Sequence, residues 1–377
     1  DFGNPPARLF QMNIVISNDA KTIAGGENYV LYLASGLRDK GHNVFIAPML
    51  NSQLSEVAKS SGFPVFEVPF GKGGSEFNAI RIFVNHLKNK NIDIIHSNCN
   101  TDRTISAFAG RLVNAVNFST IHLCMSINRN LTHAFRNKYL IDHFTPVGYA
   151  TKKILVEHDK IPSEKVSVVH IGLPQNNFLF NPHLRKKIRE EFSIPEDSIV
   201  IGTVSRLVEF KGHIFLMKAF AELQKSNPNL KLLIIGDGPL KEELVSNSKK
   251  LQIEQKTIFS GARNDISGVL SALDIFAQPS MDFGGESFPV SILEAMSVGL
   301  PIVASNVGDI SSMINDSNGF LTIPENVDEI IYGLSSLINS GALIKKFGEN
   351  SRQLFLKNFT IEKMIDEMEK LYLMKLG

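Results

Sequence analysis

Gly284-Gly-Glu-Ser-Phe-Pro-Val-Ser-Ile-Leu-Glu294 carries two carboxylates, Glu286 and Glu294, eight positions apart where a glycine-rich turn gives way to an apolar run. The glycine pair lets backbone approach a ligand closely, and Pro289 suits a first helical turn because its missing N–H would have no partner there. A helix is therefore expected to begin near Phe288. Eight residues advance a helix by about 12 Å at 1.5 Å per residue, so with the first carboxylate in the turn the two cannot share one proton or one metal ion. They serve separate parts of an extended ligand, and an anion set between them would meet the free N–H groups of the helix start. The plain alternative is an ordinary helix N-terminus preceded by an acidic residue.

The surrounding sequence alternates strand-length apolar runs with amphipathic helices. A helix over 183–192 precedes the strand Ile199 to Val204, which runs into Ser205-Arg206-Leu-Val-Glu-Phe-Lys211-Gly212 and a helix over 214–224. Arg206 and Lys211, at a strand's carboxyl end, fit a grip on a diphosphate, since Arg offers a planar fork of donors and Lys a point charge; the alternative is an exposed basic turn. Leu232 to Ile235 ends in Gly236-Asp237-Gly238-Pro239. Ile258 to Phe259 ends in Gly261-Ala-Arg-Asn-Asp265, where backbone groups suit a flat base. Ile275 to Ala277 leads through Pro279-Ser280 to the acidic turn, and Pro301 to Ala304 adds a strand. Helices are expected over 328–340, 344–358 and 361–376, the last long enough to reach back over the first domain.

Upstream the pattern is similar. Strand-length runs at 14–16, 44–47, 65–68, 92–96, 118–122, 144–147 and 166–170, with helices such as 28–40 and 77–90 between them, predict βαβ units and a parallel sheet. Such sheets bind ligands at the carboxyl ends of their strands. There lie the glycine pair Gly25-Gly26 opening a helix, His96 with Ser97-Asn98, and His122 beside a Ser- and Asn-rich stretch. The glycine pair lacks the full G-x-G-x-x-G pattern, so a tight turn competes with a phosphate or sugar contact, and each histidine has a structural alternative. The basic segment 70–75 reads either as a solvated loop or as one that orders around an acceptor. Near Ile171-Gly-Leu-Pro-Gln-Asn-Asn177 the periodicity fails, as in linkers.

These boundaries predict an appended segment over 1–11 ahead of a natural start at Met12, a first domain over 12–172, a second over 173–360, and a helix over 361–377 crossing back to the first. The 377 residues suit two domains. Composition is that of a soluble globular chain, with 43% hydrophobic and 20% charged residues. A net charge of +1 excludes an overtly basic nucleic-acid binder. Residues 12–180 nevertheless hold 17 Lys/Arg against 12 Asp/Glu, and 181–377 hold 21 against 25. The first half is thus the one expected to meet an anionic membrane surface, with Lys88, Lys90 and Arg136 as the contacts. Two cysteines without metal spacing predict free thiols in a reducing compartment. No apolar run approaches the roughly 20 residues that span a bilayer, and no signal peptide is read, so a cytoplasmic location is expected, with peripheral contact on the cytoplasmic face of the inner membrane as its extension.

A carboxylate at each end, two cations and a helix start between them suit a nucleoside diphosphate bearing a further group. No Asp-x-Asp metal pair and no Walker lysine motif occur. Fixed positive groups would then neutralise the departing diphosphate, and glycosyl transfer fits better than phosphoryl transfer.

The segments GTVSRLVEFKG, LLIIGDGPLKEEL, FSGARNDISGVLSALDIFAQPS and ESFPVSILEAMSVGLPIVASNVG, with AGGENYVLYLASGLRDKGHNV near the start, resemble the retaining glycosyltransferases of the GT-B fold, family 4. The resemblance implies an α/β protein of two Rossmann-like α/β/α domains facing across a cleft, acceptor on the first and donor on the second. It implies that Arg206 and Lys211 hold the diphosphate, Glu294 the ribose, and Glu286 the transferred sugar, with the N–H groups of Phe288 and Val290 nearby. Backbone near Gly236, Ala262 and Arg263 would meet the nucleotide, Gly25 and Gly26 would close over it, and His122 would touch the sugar near its reacting carbon. Arg206, Lys211, Glu286 and His122 are the catalytic candidates. The implied activity is metal-independent, cofactor-free transfer of a hexosyl or N-acetylhexosaminyl group, from a UDP-sugar rather than a GDP-sugar, to a glycan or lipid-linked saccharide in bacterial surface polysaccharide or glycolipid assembly. The rivals are a nucleotide-sugar epimerase of the same fold and a non-catalytic nucleotide-sugar-binding partner. Three departures from the family pattern are Ile171-Gly172 where Asn-Gly is common, Gly148 in place of a frequent serine, and Ser287 in place of the usual glycine after Glu286.

Overall fold

The computed structural model describes residues 11–23, 25–71, 76–128 and 130–377. The segment expected over 1–11, except Gln11, and positions 72–75 of the basic loop lie outside the described residues. The chain forms two compact units, Asp1–Ile171 with Ile361–Gly377, and Gly172–Thr360.

The first unit is built on five parallel strands, β1 (Asn13–Asn18), β2 (Asn43–Pro48), β3 (Ile94–Ser97), β4 (Val116–Ile121) and β5 (His143–Pro146), in the order β2-β1-β3-β4-β5. They are buried almost continuously, as expected when helices cover both faces of a parallel sheet. The helices are α1 (Gly25–Asp39), α2 (Gln53–Ser60), α3 (Glu76–Leu87), α4 (Asn100–Val113), α5 (Leu131–Phe135) and α6 (Tyr149–Lys153); α5 continues into a π-helical turn, Arg136–Leu140.

Two expected strands are absent. At 65–68 only isolated bridges form, Ile46 to Val65 and Met49 to Val68. Pro64 and Pro69 flank this run, and proline has no N–H to give a ladder. The run at 166–170 lies extended along β5, with Ser167 N–H donating to Phe144 O at 3.1 Å and Val169 N–H to Pro146 O at 3.1 Å, but it stops short of a strand.

The second unit has six parallel strands in the order β11-β10-β9-β6-β7-β8. They are β6 (Ile199–Val204), β7 (Leu230–Ile235), β8 (Thr257–Gly261), β9 (Ile275–Gln278), β10 (Ile302–Ser305) and the short edge strand β11 (Gly319–Thr322), which was not expected. The helices are α7 (Pro182–Glu191), α8 (His213–Leu223), α9 (Lys241–Lys250), α10 (Ile266–Ser271), α11 (Val290–Val298), α12 (Val327–Ile338) and α13 (Gly341–Asn358). Its core packs Leu216, Phe220, Leu232, Ile234, Ile275 and Leu334. The helix after the acidic turn starts two residues later than expected. Pro289 is its N-cap, with extended backbone at ψ 116°, and Val290 is its first residue.

The final helix, α14 (Ile361–Leu376), completes the first unit. A Cβ on Gly36 of α1 would meet Ile365 Cγ1 at 2.4 Å, so glycine permits this close packing. Lys40 pairs with Asp366 at 2.7 Å and Glu369 at 2.5 Å, and His42 meets Glu369 at 2.9 Å. Tyr372 reaches the core, its hydroxyl 2.5 Å from His96 Nδ1.

Candidate functional site

In the second unit, the polar residues singled out by sequence gather where strands β6 to β9 end. Arg206 follows β6 by two residues and is exposed; no hydrogen bond or ion pair engages its guanidinium among the described residues. Lys211 closes a 3₁₀ turn, Glu209–Lys211, that ends at Gly212 in the left-handed region, φ +66°. A Cβ at Gly212 would come within 1.9 Å of Pro279 O. Only glycine lets the lysine turn lie against the end of β9.

That packing brings Lys211 Nζ to 2.5 Å from Glu286 Oε2, with both side chains largely buried. Ser280 Oγ donates to the same oxygen at 2.9 Å and accepts from Gln278 Nε2 at 2.9 Å. Beneath the turn, Gly308 has φ +57°, and a Cβ there would strike the carbonyl of Glu286 at 2.3 Å. Asp309 N–H donates to Ser287 O at 2.8 Å and anchors the same turn.

Glu294 lies on α11. Burial pushes its carboxyl up to about pKa 8, and no hydrogen bond or ion pair engages it among the described residues. Phe288 is buried with its ring against Phe359, centroids 5.6 Å apart, and Val290 begins α11, where first-turn N–H groups lack helical partners. Gly236 has φ +140° and backs onto Ser205 O. Ala262 is exposed after β8. The Arg263 side chain is held by Glu191 at 2.5 Å and Asp265 at 2.7 Å, which leaves its backbone as the part open to a ligand.

In the first unit, Gly26 and His122 line one cavity of about 260 Å³, with Asn98, Asn100 and Arg103 among its polar walls. Gly25 is the exposed first residue of α1, and a Cβ on Gly26 would meet open space. His122 follows β4, stands edge-on to Tyr29 at 4.9 Å and has Asn98 Oδ1 3.5 Å from its Nε2. Burial, then the nearby Arg103 charge, lowers its pKa to about 4, so the imidazole is neutral at ordinary pH.

His96 takes its structural reading. It is fully buried between Tyr372 and Thr120, at 2.5 and 2.6 Å, and burial lowers its pKa to about 3. Arg136 corrects an expectation: it is 1% exposed and bonds Thr104 Oγ1 at 2.6 Å and Asn137 Oδ1 at 2.9 Å, so it cannot face a membrane.

The structure thus joins Lys211 to Glu286 directly and groups Arg206, Gly236, Ala262, Arg263, Phe288, Val290 and Glu294 along one sheet edge, with Gly25, Gly26 and His122 in the other unit. Sequence reading singled out Asn98 beside His96 but missed Gln278, Gly308, Asn100 and Arg103 as neighbours of these residues. A glutamine at the end of an apolar strand was the one available signal, since a buried amide needs partners.

Parallel sheets sheathed by helices, with glycine turns and charged residues at their strand ends, define a two-unit Rossmann-like α/β protein, and the fold is GT-B. The crystal structure of Anabaena Alr3699/HepE in complex with UDP matches it with a TM-score of 0.85 and 20% identity, over 96% of this chain and 99% of that one. Two family models match: Glycosyltransferase Family 4 over residues 23–176 and Glycosyl transferases group 1 over 185–354. The chain belongs to this family of glycosyltransferases.

An uncharacterized glycosyltransferase of Haemophilus influenzae is 35% identical over 169 residues, 44% of this chain and 47% of that protein. The UDP-Gal:alpha-D-GlcNAc-diphosphoundecaprenol alpha-1,3-galactosyltransferase of Escherichia coli is 28% identical over 229 residues, 59% of this chain and 57% of that protein. The matched stretches span about half the length of these curated relatives.

Proposed function

We propose that the protein is a retaining, metal-independent glycosyltransferase that moves a hexosyl or N-acetylhexosaminyl group from a UDP-sugar to a glycan or lipid-linked saccharide. The observation that carries this reading is the Lys211–Glu286 pair at the carboxyl edge of the sheet, beside an Arg206 with no protein partner among the described residues. A diphosphate entering there would take the free guanidinium and the lysine, while the first-turn N–H groups of α11 add donors. These groups would stabilise the charge that grows on the diphosphate as the glycosidic bond breaks. Ribose hydroxyls would donate to the bare Glu294 carboxylate. Glu286 would accept from a sugar hydroxyl.

His122, neutral through burial, suits a hydrogen bond to the sugar rather than a proton relay. The acceptor's proton then passes to a departing phosphate oxygen on the face it leaves, which yields retention. UDP is favoured because HepE was crystallised with UDP and the E. coli relative is named for UDP-Gal. A lipid-linked acceptor is supported by that relative's diphosphoundecaprenol substrate.

Peripheral membrane contact belongs to the same reading. The first unit exposes Leu131, Phe135 and Tyr139, 90, 53 and 54% accessible, along α5 and its π turn, with Phe108 and Leu112 exposed on α4 and Lys138 among them. No described helix is long and apolar enough to cross a membrane. The test is transfer from UDP-sugars to lipid-linked acceptors in EDTA, with the product's anomeric configuration read by NMR. Retained configuration and activity within about twofold of that in magnesium are expected; strict metal dependence or an inverted product would overturn the proposal.

A further inference from the structure

Both hydrogen bonds to the Glu286 carboxylate fall on one oxygen. Lys211 Nζ and Ser280 Oγ donate to Oε2, at 2.5 and 2.9 Å, and among the described residues none reaches Oε1. One oxygen is tethered and the other is left to meet a ligand.

A serine hydroxyl has a single proton, so its usefulness as a tether depends on what fixes its direction. Gln278 Nε2 donates to Ser280 Oγ at 2.9 Å, which occupies a lone pair and leaves the proton to point at Glu286. Ser291 Oγ, in the first turn of α11, donates in turn to Gln278 Oε1 at 3.4 Å and sets the sense of the amide. Ser280 is 0% and Gln278 1% exposed, so water does not compete along this line. It runs from the end of β9 to the start of α11 and meets the acidic turn between them.

A diphosphate that draws on Lys211 would compete with Glu286 for the same ammonium, so of the two tethers the lysine is the one that donor binding would loosen. Resting on the glycosyltransferase reading, we propose that Ser280, oriented by Gln278, is the positioning residue that keeps Glu286 aimed at the transferred sugar once Lys211 turns to the diphosphate. The lysine would then be shared between two states, and the serine would hold the carboxylate in both.

The experiment measures binding of UDP and of the UDP-sugar by calorimetry, with kcat and donor KM, for wild type, Ser280→Ala, Ser280→Cys and Gln278→Glu. For Ser280→Ala, UDP affinity within about twofold of wild type is expected, while the affinity added by the sugar falls and kcat drops about tenfold, the equivalent of one hydrogen bond to a charged group. Ser280→Cys keeps the shape with a weaker donor and falls between. Gln278→Glu gives the serine an acceptor in place of a donor, draws its proton away from Glu286 and reproduces the alanine result. Unchanged sugar increment and kcat in Ser280→Ala would overturn the proposal, and so would equal losses of UDP and UDP-sugar affinity, which would mark a merely structural serine. A wild-type protein that binds UDP but gains nothing from the sugar overturns it too. One that binds no nucleotide at all overturns the glycosyltransferase reading first, and the tether with it.

Discussion

Under the proposed donor site, Glu294 would couple nucleotide binding to pH. Its carboxyl, pushed by burial up to about 8 from an ordinary 4.5, stays protonated in the free protein near neutrality. The unfolded chain would ionise it, so between pH 4.5 and 8 this group makes stability fall as pH rises. Below pH 6.5 the buried histidines His96, His122, His143 and His213, all held well below 6.5, act in the opposite sense, because unfolding lets them take up protons. Asp102, raised by burial to about 7, acts in the same sense as Glu294 up to that pH. The window where Glu294 stands out is therefore pH 7 to 8, in which the melting temperature of the free protein should decline, and less so in Glu294→Gln. Ribose hydroxyls that donate to the carboxylate favour its ionised form. UDP binding near pH 7 should release a proton in wild type, visible in calorimetry as a dependence on buffer ionisation enthalpy, and none in Glu294→Gln. At the diphosphate, Lys211→Ala should lower kcat/KM by about 10- to 150-fold, as expected for losing about 1.5–3 kcal/mol of charge-assisted hydrogen bonding; wild-type turnover would remove the lysine from the site.

Among the elements, α14 joins a buried polar line rather than only an apolar one. Tyr372 OH meets His96, which meets Thr120, which meets Thr145 at 2.9 Å and Tyr29 at 3.1 Å. Tyr372→Phe would strand a buried imidazole nitrogen and should cost about 1–3 kcal/mol in urea unfolding of the first unit, while UDP affinity, which the proposed function assigns to the second unit, should stay unchanged. The helix itself was legible from its amphipathic run, but its partner was not, since 276 residues separate His96 from Tyr372. Strand β6 was legible end to end because a continuous apolar run bounded by polar residues has few other readings. The run at 65–68 is also mostly apolar but shorter, with Glu67 inside it and prolines at its edges, and it forms only isolated bridges. The start of α11 moved because Pro289 serves as a cap rather than as the first turn. The site divides in the same way. Glycines and charges at strand ends could be read locally, whereas the meeting of Lys211 and Glu286 depends on Gly212 nesting against Pro279, a contact between segments far apart in sequence.

Across the whole molecule, the surplus of positive charge in the first half is partly internal. Arg136 is buried, and Arg111 pairs with Asp142 at 2.6 Å. The proposed membrane-facing surface would then depend more on exposed apolar side chains than on net charge, and Lys138 would supply attraction to anionic headgroups. Leu131→Glu combined with Phe135→Glu should reduce sedimentation with anionic vesicles severalfold and leave UDP binding intact; unchanged sedimentation would remove this surface from consideration. Lys88→Glu with Lys90→Glu, in the exposed turn that follows α3, should have the smaller effect.

The first unit takes its last helix from residues 361–376, after the whole second unit has been made. On the ribosome, the nascent first sheet must wait with Gly36 and His96 uncovered while nearly two hundred further residues are translated. Until the tail emerges that flank lacks its covering helix, whereas the second unit already has every element it needs.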